Sequence, residues 1–157
     1  MIVFRLARSK FKNDLSGEGA RIAGGRWNSP GIPVLYTAES RALCALEIAV
    51  HTPLKVVPQD YMMISIDIPA IDIKQQLFIN DLPPHWQSFP ELKVTKMIGD
   101  QFFLEGKYLA LKVPSAIVAG DYNILINPLH ADFKQVKVLS FEPFEFDQRL
   151  FIKEALA

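Results

Sequence analysis

The C-terminal half of this 157-residue chain contains three apolar segments that follow one another without a helical pattern between them. They are YLALKVP (108–114), YNILIN (122–127) and FKQVKVLSFEPFEF (133–146). Each predicts a β-strand, and Pro143 is expected to bend the last one. Because strands concentrated in this way usually pair antiparallel, the chain is predicted to form a mixed α+β domain with mostly antiparallel strands and flanking helices.

The N-terminal half adds three further strand patterns. MIVFRLA begins the chain, PVLYTA (33–38) predicts a buried strand, and YMMISIDIP (61–69) alternates between two sides. Its alternation predicts a half-buried strand. One side holds Met62, Ile64, Ile66 and Ile68, and the other holds Tyr61, Met63, Ser65 and Asp67.

Two segments have helical spacing. SRALCALEIAVHT predicts a helix that is capped by Ser40 and ended by Pro53. Steps of 100° place Glu47 at the border of its apolar face and Cys44 near its polar side, where the thiol is expected to be an inert space-filler. That apolar face comprises Ala42, Leu43, Leu46, Ala49 and Val50. ELKVTKMIGDQFFLEG (91–106) predicts a second helix with Gly106 as its C-terminal cap.

Composition excludes several broad classes of protein. The chain has 17 basic and 17 acidic side chains, which is not the basic footprint of a nucleic-acid binder. No apolar run is long enough to cross a bilayer, and the N-terminal segment lacks the apolar core of a secretion signal. Cys44 is the single cysteine, so no intramolecular disulfide can form. These features favour a soluble cytoplasmic protein of one domain, residues 1–157, that binds neither nucleic acid nor membrane.

Several common sites are absent from the sequence. Three widely spaced histidines and one cysteine form no recognisable zinc pattern, and neither a phosphate-binding loop nor a nucleophile elbow occurs. GEGARIAGG superficially resembles a dinucleotide fingerprint, but it neither follows a clear strand nor opens a helix. The segment from Ser9 to Gly31 remains as a long polar loop, and such loops are uncommon unless they are functional.

The remaining candidates are Arg26, Tyr36, Glu47 and His51. Arg26 follows Gly24 and Gly25, which let the backbone approach a ligand closely, and it could clamp a phosphate or carboxylate there. Tyr36 ends a strand and could stack on a flat heterocycle, while Glu47 could line a cleft. Each residue also has a structural interpretation: Arg26 and Glu47 as solvated side chains, Tyr36 as core, and His51 as a favourable charge at its helix end. Trp27 fits the core better than a ligand site.

Five segments, in order, give a more specific indication. GGRWNSPG, VLYTAES, ALEIAVH, VPSAI and NILINPLH resemble the RES-domain family of bacterial toxins over about residues 5–141. The resemblance implies a fold like that of ADP-ribosylating toxins. The family's arginine, tyrosine and glutamate correspond to Arg26, Tyr36 and Glu47, which are the expected catalytic residues. It also assigns Ser115 in VPSAI and Asn127 in NILINP, with His51 one turn after Glu47; these three join Arg26 and Tyr36 as expected substrate-binding residues.

The family resemblance implies that NAD is consumed as a substrate, with no prosthetic group and no metal. The expected reaction is cleavage of the nicotinamide–ribose bond with water or phosphate as the acceptor. Because nicotinamide leaves without needing a proton, one carboxylate suffices to stabilise an oxocarbenium-like transition state. Arg26 would hold the pyrophosphate or a hydroxyl group, and Tyr36 would stack near nicotinamide.

Several alternatives stay open at this point. The chain could transfer ADP-ribose to a protein with the same site, or it could be a catalytically silent module that docks an antitoxin. The resemblance implies an Xre-type helix-turn-helix antitoxin as the partner, and the sequence leaves open whether the chain forms a homo-oligomer. Ser115 and Asn127 are also typical turn residues, and His51 could orient Glu47, assist the acceptor or be structural.

Overall fold

The computed structural model describes residues 1–152, so the last five residues of the predicted 1–157 domain lie outside the described residues. Apart from short 3₁₀ turns, the α-helices and β-strands of residues 1–152 run in the order β1, α1, β2, α2, β3, α3, β4, β5, β6. Their bounds are Ile2–Arg8 (β1), Glu18–Ala23 (α1), Leu35–Ala38 (β2), Arg41–Val50 (α2), Tyr61–Asp67 (β3), Lys93–Glu105 (α3), Ala110–Pro114 (β4), Tyr122–Ile126 (β5) and Lys137–Phe144 (β6). Within residues 1–152, no helix is long and apolar enough to cross a membrane.

The strands form one six-stranded sheet in the order β4-β5-β2-β1-β3-β6. Every pair of neighbours is antiparallel. The predicted α+β fold with antiparallel strands is therefore confirmed.

The sheet is weakly joined at its centre. β1 pairs with β3 along its whole length, and β2 pairs with β5 along its whole length. Between β1 and β2, however, the register consists of Phe4 opposite Ala38. The two strands diverge beyond that pair, which divides the sheet into the halves β4-β5-β2 and β1-β3-β6 and opens a gap between them.

β3 differs from the predicted half-buried strand. Ile64, Ile66 and Ile68 do pack together in one apolar cluster, as the alternation predicted. On the opposite side, however, Met63 is 0% exposed and packs with Leu6 in a second cluster. A strand that lies inside a sheet covered on both faces loses the polar alternation of a surface strand.

α2 begins where predicted but is rotated about its axis. Ser40 caps it, and the Ser40 hydroxyl accepts a hydrogen bond from the backbone N–H of Leu43. Leu43 and Cys44 are buried, whereas Val50 of the predicted apolar face is 53% exposed. The buried side therefore runs along Leu43, Cys44 and Glu47, and the predicted placement of Cys44 near the polar side was wrong.

Three other features of the elements differ from the prediction, and the end of α3 agrees with it. The predicted loop 9–31 contains the short helix α1, which is too short to show periodicity in the sequence. β6 begins at Lys137 because Ala131–Gln135 form a 3₁₀ turn. The irregularity in its pairing lies between Ser65 and Ile66 of β3, not at the predicted bend, and Pro143 stays in register with Met62. α3 ends at Gly106 in a left-handed conformation, as predicted.

Candidate active site

A cleft of about 840 Å³ opens where β1 and β2 diverge. Both strands line it, together with α2 and the loop between β3 and α3. The structure brings four sequence-predicted residues into this cleft: Arg26, Tyr36, Glu47 and His51. Its volume is in the range that encloses a substrate of cofactor size.

A tight turn at residues 24–28 builds one wall of the cleft. Gly24 ends α1 with a φ of 72°, a conformation that favours glycine. The Gly25 N–H then donates to the Asn28 carbonyl at 2.9 Å. Asn28 is 0% exposed, and its amide donates to the carbonyls of Ala20, Ser29 and Ile32. This buried side chain therefore fixes the turn that presents Arg26.

Tyr36 is tied to the same turn by its hydroxyl group. The hydroxyl donates to Oδ1 of Asn28 at 2.8 Å and accepts from the backbone N–H of Trp27 at 3.2 Å. Burial raises the pKa of Tyr36 well above that of a free tyrosine, so its hydroxyl stays protonated. Because the hydroxyl is already hydrogen-bonded within the turn, Tyr36 would contact a ligand in the cleft through its ring.

Gly25 has a different purpose from the one the sequence suggested. A Cβ at this position would lie 2.6 Å from the Tyr36 hydroxyl and 3.0 Å from Oδ1 of Asn28. The bare backbone therefore makes room for the Tyr36–Asn28 hydrogen bond. Close approach of a ligand is not needed to explain this glycine.

Arg26 holds the loop that follows β3. Its Nη1 donates to the carbonyls of Trp86 at 2.7 Å and Ser88 at 3.0 Å. Trp86 is buried and packs against Trp27, with 5.9 Å between the ring centroids. Both hydrogen bonds are donated by Nη1, so the Nη2 and Nε atoms of Arg26 take no part in them. Arg26 thus fastens one side of the cleft while lining it.

Glu47 projects from α2 into the cleft and meets β5. Its Oε1 accepts a hydrogen bond from Nδ2 of Asn123 at 2.6 Å. Asn123 also lines the cleft and lies opposite Ala38 of β2. The carboxylate is therefore held in the cleft by a neutral donor.

His51 lies at the C-terminal end of α2, near the mouth of the cleft. Its ring lies 6.3 Å from that of Phe89, centroid to centroid. Phe89 is 75% exposed although it lines the cleft. Within residues 1–152 no hydrogen bond joins His51 to Glu47, so the structure pairs His51 with an aromatic ring and not with the carboxylate.

The structure places Ser115 and Asn127 outside the cleft lining. The Ser115 hydroxyl accepts from the backbone N–H groups of Ile117 and Val118 at 3.2 and 3.1 Å. Asn127 accepts from the N–H of Leu129 at 3.0 Å. Both side chains are buried and stabilise turns, which agrees with the structural alternative that their sequence positions suggested.

Sequence reasoning missed several polar residues of the cleft, including Arg5 and Asn123 on two of the strands. Arg5 of β1 donates to the Asp14 carbonyl at 3.0 Å, and burial lowers the pKa of its guanidinium. Arg5 and Asn123 are polar residues within otherwise apolar strands, and this polarity was the sequence feature that could have identified them. Gln87, Phe89 and Glu91 also line the cleft, from a loop that no sequence pattern connects with it.

Comparison with known proteins assigns a family to this architecture. The family model described as "RES domain" matches residues 2–147. A Photorhabdus laumondii protein named Toxin Res is 39% identical over 154 residues, covering 96% of this chain and 97% of that protein. The Prs ADP-ribosylating toxin of a Sphingobium species is 36% identical over 149 residues, covering 94% and 92%.

Two further similarities concern a mycobacterial protein. The NAD(+) phosphorylase MbcT of Mycobacterium bovis is 39% identical over 69 residues, covering 40% of this chain and 37% of that protein. The crystal structure of the M. tuberculosis MbcT–MbcA toxin–antitoxin complex contains a chain with a TM-score of 0.72 and 21% identity, covering 96% of this chain and 86% of that one. The fold described above is therefore shared with a solved structure.

Proposed function

This chain belongs to the RES domain family, and from that premise we propose that it is the toxin of a toxin–antitoxin pair and depletes NAD. The observation that carries the proposal is the position of Glu47, whose carboxylate lies in the same cleft as Arg26 and Tyr36. The names of two similar proteins support NAD as the substrate, since one is an NAD(+) phosphorylase and the other an ADP-ribosylating toxin. The solved toxin–antitoxin complex of similar fold supports an antitoxin as the binding partner, for which an Xre-type protein is our candidate.

The proposed reaction breaks the bond between C1′ of ribose and the nicotinamide nitrogen. Nicotinamide leaves with the bonding electron pair and becomes neutral, so no general acid is needed. Positive charge then develops on the ribose, and the Glu47 carboxylate stabilises it by proximity. Water as the acceptor gives ADP-ribose and releases one proton; phosphate as the acceptor gives the 1″-phosphate of ADP-ribose.

The other cleft residues have roles that follow from their chemistry. The guanidinium groups of Arg26 and Arg5 suit the pyrophosphate of NAD, because a guanidinium can donate two hydrogen bonds to one anion. Tyr36, with its hydroxyl engaged in the turn, packs its ring against nicotinamide. His51 and Phe89 flank the mouth of the cleft, where they limit the entry of bulk water.

The test is incubation of the purified chain with NAD, with and without phosphate, followed by mass spectrometry of the products. We expect nicotinamide release to fall at least 100-fold in Glu47→Gln and to stay unchanged in Glu105→Gln, an exposed carboxylate on α3. Full activity of Glu47→Gln, with native folding confirmed by circular dichroism, would remove Glu47 from the reaction.

Transfer of ADP-ribose to a protein is the second candidate, and the 36% identity to an ADP-ribosylating toxin favours it. The same cleft serves both reactions, since only the acceptor differs. Labelled NAD incubated with a bacterial lysate separates them. Label retained on one protein band after denaturation supports transfer, whereas label found only in small molecules supports depletion.

A further inference from the structure

We propose that Asn123 is a positioning residue that fixes one oxygen of the Glu47 carboxylate and leaves the other for the ribose of the substrate. The proposal rests on the NAD-cleaving function above. It is carried by the 2.6 Å hydrogen bond from Nδ2 of Asn123 to Oε1 of Glu47, which joins residues 76 positions apart in the chain. This contact connects α2 to β5 inside the cleft.

The position of Asn123 is set by the sheet. β5 lies between β4 and β2, and Asn123 is in register with Val113 on one side and Ala38 on the other. Alternation along the strand puts Asn123 on the same face as Leu125, which is fully buried. An amide on this face, held by two neighbouring strands, is a rigid partner for a side chain on the helix.

The polar atoms of the Glu47–Asn123 pair that make no hydrogen bond indicate what the pair does. Within residues 1–152, Oε2 of Glu47 and Oδ1 of Asn123 have no hydrogen-bond partner, and both residues line the cleft. A carboxylate that is held at one oxygen keeps the second in a fixed direction. A neutral amide donor also adds no charge that would compete with a cationic transition state.

An isosteric substitution tests this arrangement. Asn123→Asp puts a second carboxylate against Glu47, and two carboxylates at that distance cannot both ionise easily. The other charged or titratable side chains that line the cleft are Arg5, Arg26, Tyr36, Cys44, His51 and Glu91. None of them is altered by the substitution, so a changed titration reports on the pair.

The primary measurement is the titration of the Glu47 side-chain carboxyl carbon by NMR, which needs no substrate. We expect its midpoint to move to higher pH by at least about one unit in Asn123→Asp, because the new carboxylate lies against Glu47. Asn80→Asp, an exposed amide-to-acid change, should leave the midpoint unmoved. An unchanged midpoint in Asn123→Asp overturns the proposal, and the kinetics of Asn123→Ala keep the test valid if Asn123→Asp fails to fold.

The second measurement is steady-state NAD cleavage as a function of pH. Asn123→Ala should lower kcat about 10- to 100-fold with a smaller change in KM, and Asn123→Asp should move the acid limb of the profile to higher pH. A kcat equal to that of the unmodified chain in Asn123→Ala overturns the positioning role. If the unmodified chain cleaves no NAD while the NMR midpoint still moves, the hydrogen-bond pairing stands and the proposed function fails.

Discussion

At the scale of single residues, the Tyr36 hydroxyl stabilises the fold and also holds the turn that forms one wall of the cleft. It bonds both Asn28 and the backbone of Trp27. We expect Tyr36→Phe to lower the free energy of unfolding by about 1–3 kcal/mol, because it leaves the Asn28 oxygen without a donor in a buried site. Urea denaturation measures this.

Tyr108→Phe is the matched control for that experiment. Tyr108 stacks near Phe102, with 6.3 Å between ring centroids, and its hydroxyl has no hydrogen-bond partner within residues 1–152. Its loss should change the free energy of unfolding by less than about 0.5 kcal/mol. Equal effects of the two substitutions would mean that the hydrogen bonds of Tyr36 contribute nothing specific.

Cys44 gives a prediction about pH. Burial raises the pKa of its thiol to about 12, compared with about 8.5 in an unfolded chain. Below about pH 8.5 the thiol is protonated in both states and contributes no pH dependence. Between the two values only the unfolded chain loses the proton, so stability should fall by up to about 1.4 kcal/mol per pH unit.

Comparison with Cys44→Ala isolates this effect from other groups that titrate at high pH. The free energy of unfolding, measured from pH 8 to 10.5, should fall more steeply in the unmodified chain than in the variant. Parallel slopes would contradict a raised pKa. Iodoacetamide should accordingly modify the folded chain slowly at pH 8.

At the scale of elements, α3 packs directly against the turn that carries Arg26. A Cβ at Gly99 would overlap the Trp27 carbonyl oxygen, so helix and turn touch through this glycine. We expect Gly99→Ala to cost at least about 3 kcal/mol of unfolding free energy, since the contact is with backbone that cannot move alone. Thermal and urea denaturation both measure this loss.

Gly19 of α1 is the matched helical control. A Cβ there meets nothing within 4 Å, so Gly19→Ala should stabilise the chain by about 0.4–1 kcal/mol through the entropy of the unfolded state. Destabilisation by both alanines to a similar extent would refute the packing argument for Gly99.

The loop after β3 should depend on Arg26. Arg26→Lys removes the planar group that bonds the carbonyls of Trp86 and Ser88. We expect faster amide hydrogen exchange in residues 86–90, measured by mass spectrometry. Arg21→Lys, which changes an exposed ion pair with Glu18, should leave that exchange unaltered. Unchanged exchange in Arg26→Lys would mean that the loop is held by its tryptophan packing.

The sequence predicted most elements but not how α2 faces the sheet. Its helical pattern and Ser40 cap were local signals, and both were confirmed. The buried side was mispredicted because Leu46 and Val50 are apolar yet exposed, so composition alone did not mark the face that meets the sheet. The contact between Glu47 and Asn123 depends on that rotation and on strand order, neither of which a local pattern contains.

At the scale of the whole molecule, the cleft exists because the sheet divides between β1 and β2. Its lining comes from distant parts of the chain, including Arg5, Arg26, Glu47, Phe89 and Asn123. Resemblance to a family could identify three of the predicted residues that meet there, Arg26, Tyr36 and Glu47. The resemblance could not identify Arg5, Asn123 or the 87–91 loop as parts of the site, because strand pairing and loop docking bring them there.

A ligand that fills such a cleft should connect these segments. We expect ADP-ribose, a product of the proposed reaction, to slow amide hydrogen exchange in 24–27, 35–38 and 87–91 while leaving 131–135 unaffected, since only the first three line the cleft. At a ligand concentration of 100 times Kd, the chain should gain about 2.7 kcal/mol of unfolding free energy. Protection confined to one segment would show that the ligand does not span the cleft, and protection centred on 131–135 would place binding outside it.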